Sequence, residues 1–350
     1  MKIGIAGCGF VTRSFHLPAL RRIEGAEVAA VADLDKRALA EVADAWGVAR
    51  RYADARELAE DPELDVVAVC VPAAAHVEIA ARALEAGKHV LVEKPLALSM
   101  VDADRLVELS RQSPGKAVVG FNLRSHRLVR RARAELQAQR LGAIQGMHST
   151  VSDSVLERPG LPAWRTERDG GGGALLDKLS HQFDLWRHLL GDEVREVSAV
   201  SRSNGADDRV VAVTGTMRGG VVATALGLDQ TATDNELVIY GEAGSITLSL
   251  YRSDGFVRAG RNEIPGAPRR RLAAGARGFL ELAGGAIPGR KGGDFMTSYV
   301  TEWRGFLHAI ETGATPDCTL EDGRRALEIA LAAAKAADQG RPVELGTGLP

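Results

Sequence analysis

The sequence predicts an α/β protein: an N-terminal Rossmann domain with a doubly wound parallel sheet, then an α+β domain with a large, open, mostly antiparallel sheet. Over about the first 120 residues, short β-branched runs alternate with amphipathic helical patterns, which is typical of parallel sheets covered by helices. Between Val194 and Val257, strand-like runs follow one another closely, as in antiparallel hairpins. The 350 residues also exceed one typical core, so two domains are expected.

The first domain is predicted to span residues 1–122. Its strands are the runs rich in β-branched residues, Ile3–Ala6, Val28–Ala32, Val66–Val71, His89–Val92 and Ala117–Gly120. Apolar residues three or four positions apart predict the helices between them, Arg37–Trp46, His76–Ala86 and Met100–Ser110.

The second domain is predicted over residues 123–350, with helices on one face of its open sheet. Its elements, in chain order, are Arg127–Arg140, Ile144–Val155, Ala174–Leu190, Val210–Met217, Val221–Leu228, Glu236–Tyr240, Ser245–Tyr251, Val300–Glu311 and Leu320–Gln339. Residues 259–294 are irregular, basic and rich in glycine, and they are predicted to form a solvated surface insertion. A lid or a subunit arm is the alternative, since long loops in compact domains tend to be functional or disordered.

Composition argues against several classes of partner. The formal net charge is -2 and aromatic residues make up 5%, which disfavours nucleic acid and anionic membrane surfaces. No apolar run approaches the roughly 20 residues that span a bilayer. Three scattered cysteines, Cys8, Cys70 and Cys318, form neither a disulfide framework nor a zinc motif, so no metal is expected. A strand that begins almost at Met1 leaves no room for a removable leader, and we expect a cytoplasmic protein.

A glycine turn after the first predicted strand is typical of a dinucleotide site. The run from Gly7 to Thr12 matches G-x-G-x-x-G except that Thr12 replaces the last glycine. Gly7 permits the tight turn and Gly9 lets the backbone approach a pyrophosphate. Phe10 and Val11 then open a helix whose N-terminus attracts the phosphates.

The second predicted strand ends in an acid, Asp33, at the distance expected for a carboxylate on the adenosine ribose hydroxyls. Its negative charge should repel a 2′-phosphate, which favours NAD over NADP. Lys36 and Arg37 lie close enough along the chain to soften that preference, so NADP stays possible.

A charged pair follows the fourth predicted strand. In Glu93-Lys94-Pro95, Lys94 lies at the carboxyl end of a buried parallel strand and is expected to face the cofactor crevice. A lysine there can hydrogen-bond a reacting hydroxyl, although a surface ion pair is the alternative. The bond before Pro95 is a candidate for a cis peptide.

A second candidate site follows the glycine run Gly170–Gly173. If Ala174–Leu190 is helical, Asp177, His181 and Asp184 share one stripe. A spacing of four places Asp177 one turn from His181, so the carboxylate could orient the imidazole for catalysis. The alternative is a structural histidine beside an apolar face.

Together these motifs resemble the Gfo/Idh/MocA oxidoreductase family, named for glucose–fructose oxidoreductase, inositol dehydrogenase and a rhizopine-catabolism protein. The resemblance covers nearly the whole chain and is specific in combining Glu93-Lys94-Pro95 with the segment from Asp177 to His181. It implies hydride transfer between a nicotinamide and a carbinol carbon of a sugar, inositol or nucleotide sugar. In similar proteins the residues matching Lys94 and His181 carry proton transfer, and the acid matching Asp177 assists.

The remaining expected contacts fall into two groups. For the cofactor they are Pro72, His76, Glu93 and Lys94. For the sugar-like substrate they are Asn122, Arg124, His126, Trp164, Arg165 and Lys178. Lys178 stands where the family commonly has an apolar residue, and it could meet an anionic substrate group or simply be solvated.

The open sheet of the second domain predicts a homodimer or a homotetramer. Two other functions stay open beside the dehydrogenase. One is an NAD-assisted glycoside hydrolase, and the other is a non-catalytic regulator that senses a dinucleotide.

Overall fold

The computed structural model describes residues 1–155, 161–252, 254–263, 275–276 and 293–346. Most of the predicted insertion at 259–294 therefore lies outside the described residues, and its role as surface loop, lid or arm stays a prediction.

The first domain contains a six-stranded parallel sheet. Its strands are β1 Lys2–Ala6, β2 Glu27–Ala32, β3 Arg50–Tyr52, β4 Val66–Val69, β5 His89–Val92 and β6 Ala117–Val119. They lie in the order β3-β2-β1-β4-β5-β6, with every described pairing parallel. The order reverses between β1 and β4, and in such sheets ligands bind outside the carboxyl ends at that reversal. The predicted Rossmann architecture is confirmed.

Helices connect these strands. They are α1 Leu17–Leu20, which continues a π-helical turn Thr12–His16, then α2 Lys36–Trp46, α3 Ala55–Glu60, α4 His76–Glu85 and α5 Met100–Gln112. Asp35 caps α2 and Ser99 caps α5 by accepting backbone N–H groups of the first turn. The short elements β3 and α3 were not predicted, because three and six residues are too few for a periodic pattern to be recognised.

An eight-stranded sheet follows. Its strands are β7 Ile144–Asp153, β8 Val194–Arg202, β9 Val210–Met217, β10 Val222–Asp229, β11 Asp234–Gly241, β12 Gly244–Ser249, β13 Phe256–Gly260 and β14 Val343–Glu344. The order is β13-β12-β11-β7-β10-β9-β8-β14. The central pair β7 and β10 is parallel and the other pairings are antiparallel, so the mostly antiparallel sheet is confirmed.

The remaining helices are α6 Arg127–Gln137, α7 Leu179–Leu190, α8 Gly293–Thr312 and α9 Leu320–Gln339. The predicted long helix Ala174–Leu190 begins instead with a π-helical segment, Ala174–Lys178, before α7.

One closing helix differs from the prediction that both cover the second sheet. Trp303 and Phe306 of α8 lie in the same apolar cluster as Ile3, Leu17 and Leu20 of the first domain. The helix returns to the first sheet because its broad aromatic face finds apolar partners there. Among the described residues, no helix combines the length and apolar character needed to cross a membrane.

Candidate active site

The glycine turn follows β1 and lies against the end of β4. Gly7 has φ +101°, and a Cβ built on it would stand 2.7 Å from the Cys70 carbonyl carbon, so only glycine fits there. A Cβ on Gly9 would meet no atom within 4 Å. Open space therefore lies outside Gly9, on the side where a pyrophosphate would approach the start of the helix.

Thr12 replaces the third glycine of the fingerprint without disturbing the turn. Its buried hydroxyl donates a hydrogen bond to the carbonyl oxygen of Gly7, 2.6 Å away. Phe10 is 56% exposed at the mouth of the turn, and its ring meets Phe15 edge-on at 5.8 Å. Val11 lies at the N-terminus of the π-helical turn.

Asp33 is held beside the glycine turn by two backbone donors. Its Oδ2 accepts the N–H of Cys8 at 2.7 Å, and its Oδ1 accepts the N–H of Asp35 at 2.8 Å. The carboxylate predicted for the ribose thus lies directly against the predicted phosphate loop.

His76 joins the turns that follow β4 and β5. Its ring nitrogens lie 2.9 Å from the carbonyl oxygens of Pro95 and Val71, and burial lowers its pKa. Pro72 is exposed and immediately precedes the helical turn that leads into His76. Both residues lie at the carboxyl edge of the sheet, where the cofactor contacts were predicted.

Glu93 is part of a buried chain of polar groups that sequence reasoning missed. Its Oε1 lies 2.9 Å from Nε2 of His16, and Nδ1 of His16 accepts the indole N–H of Trp303 at 3.0 Å. Burial opposes ionisation of Glu93, but the hydrogen bond from His16 and the charge of Lys94 lower its pKa. No local pattern could reveal this chain, because 77 and 287 residues separate its partners.

Lys94 reaches across from the first sheet to the segment after the glycine run. Its Nζ donates hydrogen bonds to the backbone oxygen of Asp177 at 2.6 Å and to Oδ1 of Asp177 at 2.8 Å. The other carboxylate oxygen of Asp177 lies 3.3 Å from Nη1 of Arg165. The Lys94–Pro95 bond is cis, as the sequence suggested.

Asp177 therefore lies between two cations. Burial alone would raise the pKa of its carboxyl group, but the positive charges of Lys94 and Arg165 outweigh it and hold that pKa well below its usual range. Gly170 lets this segment pass Trp164 closely, since a Cβ there would lie 2.8 Å from the Trp164 Cβ. The guanidinium of Arg165 in turn lies 5.0 Å from the centre of the Trp164 ring.

His181 lies close to the Lys94 ammonium, at the start of α7. Burial, followed by the positive charge of Lys94, lowers the pKa of His181 to about 3. The imidazole is therefore neutral near neutral pH. Its ring meets Phe121 edge-on at 5.6 Å, and its buried Nδ1 has no partner among the described residues.

The predicted pairing of Asp177 with His181 is not formed at Nδ1. Both carboxylate oxygens of Asp177 bind Lys94 and Arg165 instead. The residues between them include part of the π-helical segment Ala174–Lys178, whose wider i→i+5 winding alters the stacking expected one α-helical turn apart.

Lys178 neither meets solvent nor stands as an unpaired charge. Its side chain is 8% exposed, and its Nζ contacts a carboxylate oxygen of Asp153 and lies 2.7 Å from Oδ1 of Asp229. These two acids end the adjacent parallel strands β7 and β10, where they are register partners. The acids end strands far apart in sequence, so only the sheet pairing could reveal them.

Three residues predicted to contact the substrate are buried and make hydrogen bonds within the protein. Asn122 donates to Oγ of Ser298 at 2.8 Å, and Nδ1 of His126 accepts the Leu128 N–H at the start of α6. Arg124 makes two hydrogen bonds to Asp184, of 2.8 and 2.6 Å. Asp184 is thus committed to Arg124, whereas Arg165 joins Lys94 and Asp177.

The residues present fit a dinucleotide. Gly7, Gly9 and the helix start would hold the pyrophosphate, Asp33 the adenosine ribose, and the end of β5 the nicotinamide half. Among the described residues, no group of three or more His, Cys, Asp or Glu side chains could hold a metal ion. The sheet order and the turn define a dinucleotide-binding protein of the Rossmann class.

Comparison with known proteins gives the family. Residues 1–121 match the model of an oxidoreductase family with an NAD-binding Rossmann fold, GFO_IDH_MocA, and residues 129–247 match the GFO/IDH/MocA C-terminal domain. The chain belongs to the Gfo/Idh/MocA oxidoreductase family, as the resemblance predicted.

Named relatives span the full chain. A myo-inositol 2-dehydrogenase of Thermotoga maritima is 29% identical over 360 residues, covering 99% of this chain and 98% of its own. A 1,5-anhydro-D-fructose reductase of Ensifer adhaerens is 31% identical over 355 residues, covering 99% of both.

Solved structures share the fold. A probable dehydrogenase from Thermotoga maritima superposes with a TM-score of 0.79 at 26% identity and 98% coverage of both chains. Levoglucosan dehydrogenase, in complex with NADH and L-sorbose, gives a TM-score of 0.82 at 22% identity, covering 99% of this chain and 98% of its own.

Proposed function

We propose that this NAD-dependent oxidoreductase transfers a hydride between the nicotinamide and a carbinol carbon of a sugar, an inositol or a nucleotide sugar. The names of its relatives support a polyhydroxylated substrate, since one acts on myo-inositol and another on 1,5-anhydro-D-fructose. The observation that carries the proposal is the contact of Lys94 with Asp177, beside the neutral imidazole of His181.

The proposed role of Lys94 follows from its donors. An ammonium has three N–H groups, and two of them bind the backbone oxygen and Oδ1 of Asp177. The third is available to a substrate hydroxyl, and the positive charge stabilises the alkoxide that develops as the C–H bond breaks. Asp177, itself held by Arg165, positions the ammonium.

His181 is the proposed base. Burial and the positive charge of Lys94 lower its pKa to about 3, so the imidazole is neutral but weakly basic. It takes the hydroxyl proton through a ring nitrogen only as the hydride leaves the carbon and the hydroxyl becomes more acidic. The bound NAD supplies the acceptor for the hydride. In the opposite direction the same two groups deliver a proton to the carbonyl oxygen as it is reduced.

The first experiment is a substrate screen with NAD and NADP over inositols, anhydro sugars, free aldoses and nucleotide sugars. A dehydrogenase changes nicotinamide absorbance in proportion to product. An NAD-assisted glycoside hydrolase releases a sugar with no net change in absorbance, and a sensor shows binding without turnover. Either of the last two results would contradict the proposal.

The second experiment tests Lys94 itself. Lys94→Met should lower kcat by about 10²–10⁴-fold while NADH still binds, measured by nicotinamide fluorescence. Lys116→Met is the matched control, because Lys116 precedes β6 at the opposite edge of the same sheet. Near-normal turnover by Lys94→Met would remove the role assigned to Lys94.

We also propose self-association through the outer face of the second sheet, in a homodimer or homotetramer. Large apolar side chains of four strands are exposed on that face: Val200, Val222, Tyr240 and Val257. Light scattering should give a mass of two or four chains, and Val200→Lys should lower it. A monomer in both proteins would contradict the proposal. The cytoplasmic location stays a prediction.

A further inference from the structure

A single carboxylate engages two arginines beside the dinucleotide turn. Nη1 of Arg13 lies 3.0 Å from Oε2 of Glu41, and Nε of Arg37 lies 2.9 Å from Oε1 of Glu41. Arg13 is one residue past the glycine turn, and Arg37 and Glu41 lie one helical turn apart on α2. Each oxygen of Glu41 thus holds a different guanidinium.

The position of Arg13 relative to Asp33 is set by one residue of the turn. The N–H of Cys8 donates to Asp33 at 2.7 Å, and the carbonyl oxygen of Cys8 accepts Nε of Arg13 at 2.7 Å. The predicted ribose acid and a guanidinium therefore bind the backbone of the same residue, Cys8. Arg37 lies in the first turn of α2, four residues after Asp33. A phosphate on the 2′-hydroxyl of a ribose held by Asp33 would come close to both guanidinium groups.

Guanidinium groups at this place are the natural ligands of a 2′-phosphate, because their fork of N–H donors matches phosphate oxygens. Here Glu41 already occupies part of that capacity, through Nη1 of Arg13 and Nε of Arg37. We propose that Glu41 is a specificity-determining residue for the cofactor: by holding Arg13 and Arg37 it withholds both guanidinium groups from the 2′-phosphate of NADP. Asp33 repels that phosphate directly, whereas Glu41 acts by occupying its partners.

The size of the effect follows from exposure. The side chains of Arg13 and Glu41 are 38% and 46% exposed, and that of Arg37 is 87% exposed. Ion pairs this exposed contribute little and are screened by salt, so the two arginines can exchange one anion for another. We therefore expect a gain of about fivefold in affinity for a 2′-phosphate once Glu41 is neutralised, and a smaller gain at high ionic strength.

The test measures binding by calorimetry with two probes, 2′,5′-ADP and 5′-AMP, which differ only in the 2′-phosphate. Glu41→Gln should bind 2′,5′-ADP about fivefold more tightly than the unaltered protein, with affinity for 5′-AMP unchanged. The ratio of kcat/KM with NADP to kcat/KM with NAD should rise in parallel.

Glu60→Gln is the matched control. Glu60 also binds one arginine of the same domain, Arg82 at 2.6 Å, with similar exposures of 55% and 41%. It changes the net charge equally but frees an arginine away from the turn. Equal affinities for 2′,5′-ADP in Glu41→Gln and Glu60→Gln would overturn the proposal.

Two double variants test whether the gain in affinity depends on Arg13 and Arg37. Removing an arginine in Arg13→Gln/Glu41→Gln or Arg37→Gln/Glu41→Gln should abolish part or all of the gain, and a full gain in both would overturn the proposal. Should Glu41→Gln fail to fold, as judged by its thermal unfolding, Glu41→Asp keeps the charge but shortens the reach to the two arginines. It should then show a smaller gain of the same sign, and no gain would overturn the proposal.

Discussion

The indole N–H of Trp303 donates a hydrogen bond to Nδ1 of His16 across 3.0 Å. Burial opposes a charged His16 ring, whereas Cys70 and Glu93 raise the pKa of His16 and so favour a protonated ring, but an indole nitrogen is only a donor. The Nδ1 that accepts it is therefore unprotonated, and the ring proton lies on Nε2. Nε2–H then donates to Glu93, next to Lys94. A helix from the end of the chain thereby fixes the tautomer of a residue at the start, and with it the acid beside the proposed active site.

Trp303→Phe should therefore destabilise the protein beyond the loss of ring volume. The buried Nδ1 of His16 loses its donor, and an unsatisfied buried acceptor costs about 1–3 kcal/mol. Urea unfolding measures the change, with Trp46→Phe as control, since that half-buried ring packs against the apolar core and the guanidinium of Arg21, and its indole N–H makes no hydrogen bond among the described residues. Equal losses in the two variants would argue against the tautomer assignment.

The two glycines of the turn should respond differently to alanine. Gly7→Ala forces a Cβ against the Cys70 carbonyl at positive φ and should cost about 2 kcal/mol or more of unfolding free energy. Gly9→Ala places its Cβ in open space, so stability should stay within about 0.5 kcal/mol. NADH affinity should nevertheless fall at least about tenfold, because the methyl group blocks the pyrophosphate. Undiminished NADH binding by Gly9→Ala would place the cofactor elsewhere.

Lys178→Met should be among the most damaging single changes. Asp153 and Asp229 are register partners on adjacent strands, and without the ammonium they leave buried negative charge uncompensated. Breaking such a buried pair costs about 3–5 kcal/mol. The double variant Lys178→Met/Asp229→Asn should recover part of that loss. If the second change instead adds to the first in urea unfolding, the three groups are not coupled.

Buried histidines should make the protein sensitive to mild acid. Burial lowers the pKa of His126 to about 4 and, together with the charge of Lys94, that of His181 to about 3. Below about pH 6.5 these histidines become protonated in the unfolded chain but stay unprotonated in the folded protein. Unfolding free energy should therefore fall as pH decreases from about 6.5 towards 4, by about 1 kcal/mol per histidine between pH 7 and 5.5.

His126→Asn isolates one of these protons. Asn can still accept the N–H at the start of α6, as His126 does, but it does not titrate. Its unfolding free energy should lose about 1 kcal/mol less than that of the unaltered protein over the same pH interval. The same slope in the variant and in the unaltered protein would contradict the argument.

Sequence reasoning reached the Rossmann sheet, the second sheet and the position of Lys94 because each depends on local patterns. Strand periodicity places Lys94 at a carboxyl edge whatever the rest of the chain does. The same reasoning predicted a contact between Asp177 and His181, but Nδ1 of His181 makes no hydrogen bond to the carboxylate. A lysine 83 residues away engages the carboxylate, and the backbone between the two residues starts as a π-helix.

The partners of Lys178 and Glu93 could not be predicted from the sequence either. Their charges suggested ligands, yet their partners lie on other elements: Asp153 and Asp229 at two strand ends, and His16 on the first helical turn. A buried charge is compensated by whichever groups the topology brings near, and spacing along the chain does not reveal them. Thr12 was a departure from the fingerprint whose compensation, a hydroxyl bond to Gly7, required coordinates.

The Lys94 ammonium is tethered to a peptide carbonyl as well as to a carboxylate of the same residue. The main-chain tether does not depend on which side chain occupies position 177. Replacing Asp177 with a neutral residue of similar shape would therefore change the electrostatic potential at the Lys94 amine, while the backbone hydrogen bond keeps the amine in place. The charge next to the amine thus depends on the side chain of Asp177, whereas the position of the amine depends on its backbone. The charge can therefore change, in evolution or by design, without displacing the amine.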